Sequence, residues 1–521
     1  VDYVGRFYVK YASLSLAETK NVESILNGCT ITENFYGGGR LGRVNGNILS
    51  TLTNCTVLGN AYGAGFSPDA PTIEVWDKGA KMDPNPAYNE SIGVFDDGVY
   101  PSAAYRKTYT WVNDSTAVST DHDLNDVQRY IYTTSNLKTL GEVTGDVTLN
   151  INGTTTVGTL VGGKLKDGTG NVFGAGDASN VSGNTIVNME GGSVLGSIYG
   201  GGNVGSVGTF NVNSSGKPTS LKTANTGKCT VTMSGGSIGP DNMTMPDDYG
   251  YIFGAGKGYV ADPTEDSEVE NKAYVYSTDV TVSGNAFIKG SVYGGSENGH
   301  VLGNTYVKIR ENCQIGNGFD TQHSTSFNRP YTTEEWTDRT KHPTLYGCAH
   351  WPFDEENYHP YDRDAEAEGY DSKGGVVSAT DGHTFYGNVF GGGSGLYAYK
   401  PGQWLRSAGR VEGNTRVDIE GGHILSNVYG GCETTDVNGT CTINMSGGTI
   451  GVPRTVEQIK AHPVTCYLFG AGKGDQRINF NTWTNVASTE VNSTGGRIFG
   501  STFGGGEDGH VIGNAVTNIS G

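Results

Sequence analysis

Apolar and polar residues alternate in short runs that recur along the whole chain. Thr185, Val187 and Met189 alternate with Ile186 and Asn188, and Thr415, Val417 and Ile419 repeat the pattern. A period of two predicts strands with one buried face. A Gly-Gly pair closes each run, as a corner with positive φ requires. A second short apolar stretch and an aromatic-Gly turn follow. The unit reads roughly GNTxVxIxGGxIxGxV[YF]GGG, as in 183–202 and 413–431, and restarts as GNTYVKI at 303–309 and GTCTINMSGGTIG at 439–451.

The aromatic-Gly turn appears as FYGGG (35–39), AYGAG (61–65), VFGAG (172–176), IYGGG (198–202) and IFGAG (252–256), then as VYGGS (292–296), VFGGG (389–393), VYGGC (428–432), LFGAG (468–472) and TFGGG (502–506). Tyr36 to Tyr62 and Phe173 to Tyr199 are both 26 positions. Tyr429 to Phe469 is 40, which returns to 26 once the 14 aberrant residues 452–465 are removed. One coil of about 26 residues with tolerated insertions explains these intervals. A unit of two or three short strands cannot bury its apolar face alone, so copies must stack. Ten or so coils at strand spacing make a rod roughly 50 Å long. The expected fold is therefore all-β, a parallel β-helix that the crossover rule makes right-handed. A β-propeller fits less well, because its blades need about 40–50 residues. A longer module lies above the coil: 291–304 returns as 501–514, displaced by 210, and 251–258 returns as 467–474, displaced by 216.

These repeats divide the chain into first coils (1–65), a loop-rich segment (66–145), a solenoid module (146–316), an aromatic, acidic insertion (317–385) and a second copy of the module (386–521). Shorter departures fall near 203–220, 240–249, 452–465 and 474–490. The second copy stops at GNAVTNISG, where other copies run into a further turn, so the array is expected to continue or to stack on another subunit.

Composition supports this reading and excludes several functions. Gly is 82 of 521 residues, while Tyr 29 and Phe 17 are too many for a disordered tract. The net charge of −19 disfavours nucleic acid and anionic lipid. No apolar run is long enough to span a membrane. The first residues show no basic stretch leading into an apolar core, and the chain opens on Val. A processed or truncated product is expected, with export inferred. The eight Cys form no CxxC motif. Cys29 and Cys55 stand one coil apart at matched positions, within disulfide range if stacked, whereas Cys229 and Cys441 take inward strand positions as small core residues.

All six Trp lie outside the coil pattern. Solenoid insertions emerge on the flank and often bind partners, so Trp336, Trp351, Tyr358 and Trp404 are the candidates for stacking on glycan rings or contacting a partner. The alternative is that they pack the loops' own small cores. Asp354, Glu355, Asp362 and Asp364 in HWPFDEENYHPYDRD (350–364) are candidate metal ligands in no recognised spacing. Asp177 in GAGDASN and Asp475 in GKGDQ partly match the calcium-binding nonapeptide without repeating it in consecutive nonapeptides, so calcium at the acidic turns is the one ion considered, and no other cofactor is expected. His300 beside Glu297 and His510 beside Glu507 recur at equivalent positions and read as turn residues. The GAGKG segments recur in every module and precede no helix, so they are corners rather than phosphate loops.

The coil of 183–202 and 413–431 resembles the Gly-rich parallel β-helix repeats of large bacterial surface and adhesin-like proteins, over about two-thirds of the chain. That resemblance implies export to a cell surface and a role in attachment or fibre formation. The expected function is a non-catalytic structural or adhesive protein, extended by end-to-end assembly into a filament. Its partners would be further copies, surface glycans or proteins of other cells. The alternative is a carbohydrate-active β-helix enzyme, a polysaccharide lyase or hydrolase, with its site near 317–385.

Overall fold

The computed structural model describes residues 18–40, 42–67, 141–214, 216–241, 249–258, 272–320, 387–395, 407–453, 466–474 and 484–521, with short segments elsewhere. Its elements are all β-strands, and three long parallel sheets of twelve, ten and ten strands dominate. Each circuit of the chain places one strand in every sheet, in the same order. One such circuit is Thr185–Met189 in the first sheet, Ser193–Val194 in the second and Ile198–Tyr199 in the third. The next circuit pairs Val187 with Val231, Val194 with Ile238 and Tyr199 with Phe253. Where no insertion intervenes, partners stand 26 positions apart, as for Thr30 with Thr56 and Thr415 with Cys441.

The GNT segment bonds in the same way from coil to coil. The Asn side chain accepts from a backbone N–H of the next coil: Asn184 Oδ1 from Lys228 at 2.9 Å, and Asn414 Oδ1 from Thr440 at 2.8 Å. The following Thr points inward, and its hydroxyl donates to the carbonyl of the glycine after the aromatic residue. Thr185 reaches Gly200 at 2.6 Å and Thr305 reaches Gly391 at 2.6 Å. Polar residues that look misplaced in a core strand thus satisfy backbone groups that burial would otherwise leave unpaired.

The two kinds of glycine pair do different work. Gly192, before the second sheet, has φ of +88°, the conformation expected at a corner. Gly200, after Tyr199, has no positive φ. A Cβ there would lie 2.2 Å from the Gly254 carbonyl oxygen of the next coil, so glycine is required by close approach rather than by backbone conformation.

Inward residues of all three sheets form one continuous apolar core, including Val187, Met189, Val194 and Ile198 with their equivalents in other coils. Each such side chain contributes about 1.5–3 kcal/mol when fully buried. A second core runs beside it, lined by a column of valines that includes Val143, Val181, Val207, Val301, Val411 and Val437. These pair as single parallel bridges between coils. The aromatic residues of the third sheet point away from the main core into a separate stack. Ten rings follow one another from Tyr36 to Phe503, with centroids 4.6–5.1 Å apart.

Some boundaries differ from expectation. Phe7–Val9 pairs antiparallel with Thr72–Asp77, which pairs with Arg106–Asn113, so the described solenoid begins after these first residues. Residues 160–165 form an unexpected hairpin within a coil. Val207 belongs to the valine column rather than to an insertion, and the inserted hairpin is Phe210–Val212 with Pro218–Leu221. Asn485–Ser493 is a strand of the first sheet, although residues up to 490 read as an insertion. Its polar composition hides the alternation.

Candidate functional site

No insertion enters between the first and second sheets. Insertions leave either between the second and third, as at 158–171, 239–250, 316–387 and 451–466, or after the third, as at 67–141, 208–227, 258–272, 395–407 and 474–484. Among the described residues, the points where insertions leave and re-enter the solenoid therefore all fall before or after third-sheet strands, and none falls between the first and second sheets. The first group follows a rule of two. It occurs in the coils of Phe173, Phe253, Phe390 and Phe469, and the intervening coils of Tyr199, Tyr293 and Tyr429 have tight corners.

The same two-coil rhythm organises a polar column four residues after each ring. It holds Asp177, Asn203, Lys257, Glu297, Ser394, Glu433, Lys473 and Glu507 in consecutive coils, joined by backbone pairing such as Asn298 N–H to Lys257 O and Gly474 N–H to Glu433 O. Tyrosines of the ring stack donate to its acids. Tyr199 donates to Glu297 at 2.5 Å, Tyr293 to Glu433 at 2.7 Å, and Tyr429 to Glu507. In each case the acid lies two coils further on, so the bond passes over one Phe coil. Asn427 also donates to the Tyr429 hydroxyl at 2.9 Å. Burial and the nearby Glu507 carboxyl raise the Tyr429 phenol well above its ordinary value. Burial pushes Glu507 up to about 7, against the opposing pull of Lys473.

Glu433 sits at the centre of the densest cluster. Its Oε2 accepts from Tyr293 and, at 3.2 Å, from the Ser394 hydroxyl, while its Oε1 lies 3.7 Å from Lys473 Nζ. Both side chains of that ion pair are buried. The buried Glu297 and Lys473 and the half-buried Glu507 therefore belong to one polar network, although their positions in the GGxE and GAGKG turns mark them only as corner residues. The tyrosine partners of these acids are 78–140 residues away along the chain.

A groove of about 360 Å³ opens over the valine column, lined by Arg410, Asp436, Asn438, Asn485 and the apolar Val437 and Ile512. Arg410 donates to Asn438 Oδ1 at 3.0 Å, and the buried Asp436 accepts from the Asn485 N–H at 2.9 Å. On the outer face of the first sheet, Asp418 accepts both Arg416 nitrogens and the Tyr306 hydroxyl, which with other hydrogen bonds hold its carboxyl below the usual range despite burial.

Trp336, Trp351, Tyr358 and Trp404, together with Asp354, Glu355, Asp362 and Asp364, lie outside the described residues. Among the described residues no cluster of three or more His, Cys, Asp or Glu is arranged to hold a metal. Cys29 and Cys55 fall side by side in neighbouring coils, next to the Thr30–Thr56 pair, but both are free thiols. Each Sγ turns to the carbonyl two residues before it, Asn27 at 3.6 Å and Thr53 at 3.3 Å, instead of to its neighbour. Cys229 and Cys441 are buried core residues whose thiols burial raises to about 12. Among the described residues no helix is long and apolar enough to cross a membrane. Comparison of the chain with protein-family models, characterised proteins and solved structures finds no match.

Proposed function

We propose that the chain is a right-handed parallel β-helix of about 26-residue coils that serves, outside the cell, as a rigid non-catalytic carrier of adhesive loops. The observation that carries this reading is the one-sided placement of the insertions along the two margins of the third sheet. A plain rod with one decorated flank suits display, because the solenoid fixes the loops in a row while their sequences vary. Hydrogen bonds that skip a coil stiffen the rod. On the outermost strand Ala515–Ile519, Ile519 takes an inward position, paired with the buried Ser493, yet is exposed, and stacking of a further coil there, including end to end, would cover it.

The groove at Arg410 supports a carbohydrate as the bound class. It combines amide, guanidinium and carboxylate groups with an apolar floor, and it begins three residues after an insertion that contains Trp404. Its nearby carboxylates are engaged in structural contacts, Asp436 with the Asn485 N–H and Glu412 with Arg410 and Asn438, which favours binding over the free acid pair that glycoside hydrolysis uses.

The test deletes 317–386, which leaves Gly316, Gly387 and Asn388 as a three-residue corner like that of 425–427, replaces Arg410 and Asn438 of the groove by Ala in the same variant, and compares both proteins on immobilised polysaccharides and whole cells. Retained folding with lost binding is the expected result. Equal binding by the loop-deleted rod, or none by either protein on any surface, would sink the adhesive reading.

A further inference from the structure

We propose that the paired residues at which the chain leaves and re-enters the solenoid between the second and third sheets are ports for interchangeable inserts, so that what the rod binds moves with the insert. The second half of this proposal rests on the adhesive reading, and the first half does not.

A tight corner between these sheets is three residues, such as Leu195, Gly196 and Ser197. All four inserts of this margin enter at one point, between the first and second corner residues. The first is Gly158, Gly239, Gly316 or Gly451, where the tight coils have Leu58, Leu195, Lys289, Leu425 or Phe499. The second is Gly170, Gly250, Gly387 or Cys466. All eight port residues have positive φ, from +73° to +112°, and no residue of the tight corners 195–197 and 425–427 does. The chain thus turns out and back through one residue each way, in a conformation that glycine adopts without steric cost.

Contact closes the neck. A Cβ on Gly158 would lie 2.7 Å from Gly170 Cα, and one on Gly316 would lie 2.7 Å from Gly387 Cα. Ladder bonds continue on both sides of it. Gly239 N–H donates to Val194 O at 2.8 Å and Gly290 N–H to Gly250 O at 2.9 Å. Gly316 N–H donates to Ile288 O at 2.7 Å and Ser426 N–H to Gly387 O at 3.0 Å. The coil therefore offers the same backbone whether the insert has ten residues, as at 240–249, or seventy, as at 317–386. Surface points whose two chain ends lie close together are those that accept inserted sequence.

The next, tight coil completes the port. Its bulky first corner residue lies over the neck: a Cβ on Gly158 would meet Leu195 Cβ at 3.0 Å, and one on Gly316 would meet Leu425 Cβ at 2.9 Å. Ports in successive coils would remove that cover, which accounts for the two-coil rhythm.

Exchange of inserts in the full chain tests both halves. Swapping 159–169 with 240–249 is expected to leave thermal unfolding unchanged, together with the hydrogen-exchange protection of Thr156–Val157, Val172–Phe173, Ser237–Ile238 and Ile252–Phe253. Copying 240–249 between Leu195 and Gly196 puts inserts in three successive coils. That variant should melt at lower temperature and lose protection at Ile198–Tyr199. Equal damage from the swap and the added insert would overturn the ports, as would equal tolerance of both. For the second half, the recipient is the variant that lacks 317–386 and the side chains of Arg410 and Asn438. Placing 317–386 between its Gly158 and Gly170 should restore binding to immobilised polysaccharide. A folded chain that stays non-binding would overturn the second half alone. Absence of binding by the wild type would remove the adhesive reading and the second half with it, while the exchange of 159–169 and 240–249 still decides the first.

Discussion

The Tyr199 hydroxyl donates to Glu297, a carboxylate 98 positions further along the chain and two coils away. In a solenoid each coil ordinarily contacts only its neighbours, so unfolding can propagate from either end with little coupling. Bonds that skip a coil add a second range of interaction. Recurrence at Tyr293–Glu433 and Tyr429–Glu507 makes the two-coil pair the natural cooperative unit.

Removing one of these hydroxyls should therefore cost more than losing an ordinary surface hydrogen bond. Tyr199→Phe removes one donor from the buried Glu297, whose other oxygen keeps Asn298 Nδ2 at 3.2 Å, and about 1–3 kcal/mol of destabilisation is expected. Ring packing is preserved, because Phe already occupies neighbouring rungs such as Phe173 and Phe253. Denaturant unfolding of Tyr199→Phe, Glu297→Gln and the double variant tests the bond. Additive single effects would show that it contributes nothing.

The glycine after the ring can be tested by a single methyl group. Gly200→Ala drives a Cβ to 2.2 Å from the Gly254 carbonyl, while Gly162, in the hairpin of 160–165, has nothing within 4 Å and only a positive φ to oppose a side chain. Gly200→Ala should destabilise by about 3 kcal/mol or more, and Gly162→Ala by about 1 kcal/mol. Thermal unfolding of the two variants side by side is the measurement. Equal losses would mean that backbone entropy, rather than coil spacing, selects glycine.

Much of this architecture was legible because it rests on local rules. Alternation in 185–189, the φ of Gly192 and the 26-residue spacing of Tyr36 and Tyr62 all follow from neighbours in the chain. The valine column was not legible: Val143, Val181 and Val207 are single bridge residues with no run around them. The hairpin at 160–165 escaped because it resembles the corner it interrupts. The polar column was visible only as position. Glu297 and Glu507 stand out in repeated turns, yet nothing nearby indicates that their partners are tyrosines two coils back. The Trp-bearing and acidic candidates fall in 317–385 and at Trp404, outside the described residues.

Thiol reactivity should follow the coil positions. Among the described cysteines Cys29 alone is exposed, and Cys55, Cys229, Cys313, Cys432, Cys441 and Cys466 are buried. Burial holds the Cys229, Cys313 and Cys441 thiols near 12, which suppresses the reactive thiolate. Native-state alkylation followed by peptide mapping should modify Cys29 quickly and these three only after denaturation. Rapid native labelling of Cys229 would contradict the stacked core.

Glu507 gives the network a pH dependence of definite sign. Its folded value of about 7 lies above the ordinary 4.5, and burial is the main cause. The folded state therefore holds this proton more tightly than the unfolded chain does. The stabilisation is complete below about pH 4.5 and disappears as pH rises through about 7. Lys473 opposes the shift and Glu433 and Asp508 reinforce it, so the charged groups around the site are already included in the direction. Amide hydrogen exchange around 502–511 should accelerate between about pH 5 and 8 by more than the intrinsic exchange chemistry accounts for. In Glu507→Gln, which keeps an acceptor for Tyr429 but cannot ionise, the excess should vanish. If the variant keeps the wild-type profile, another group sets the pH response, and the coil-skipping bond from Tyr429 is indifferent to charge.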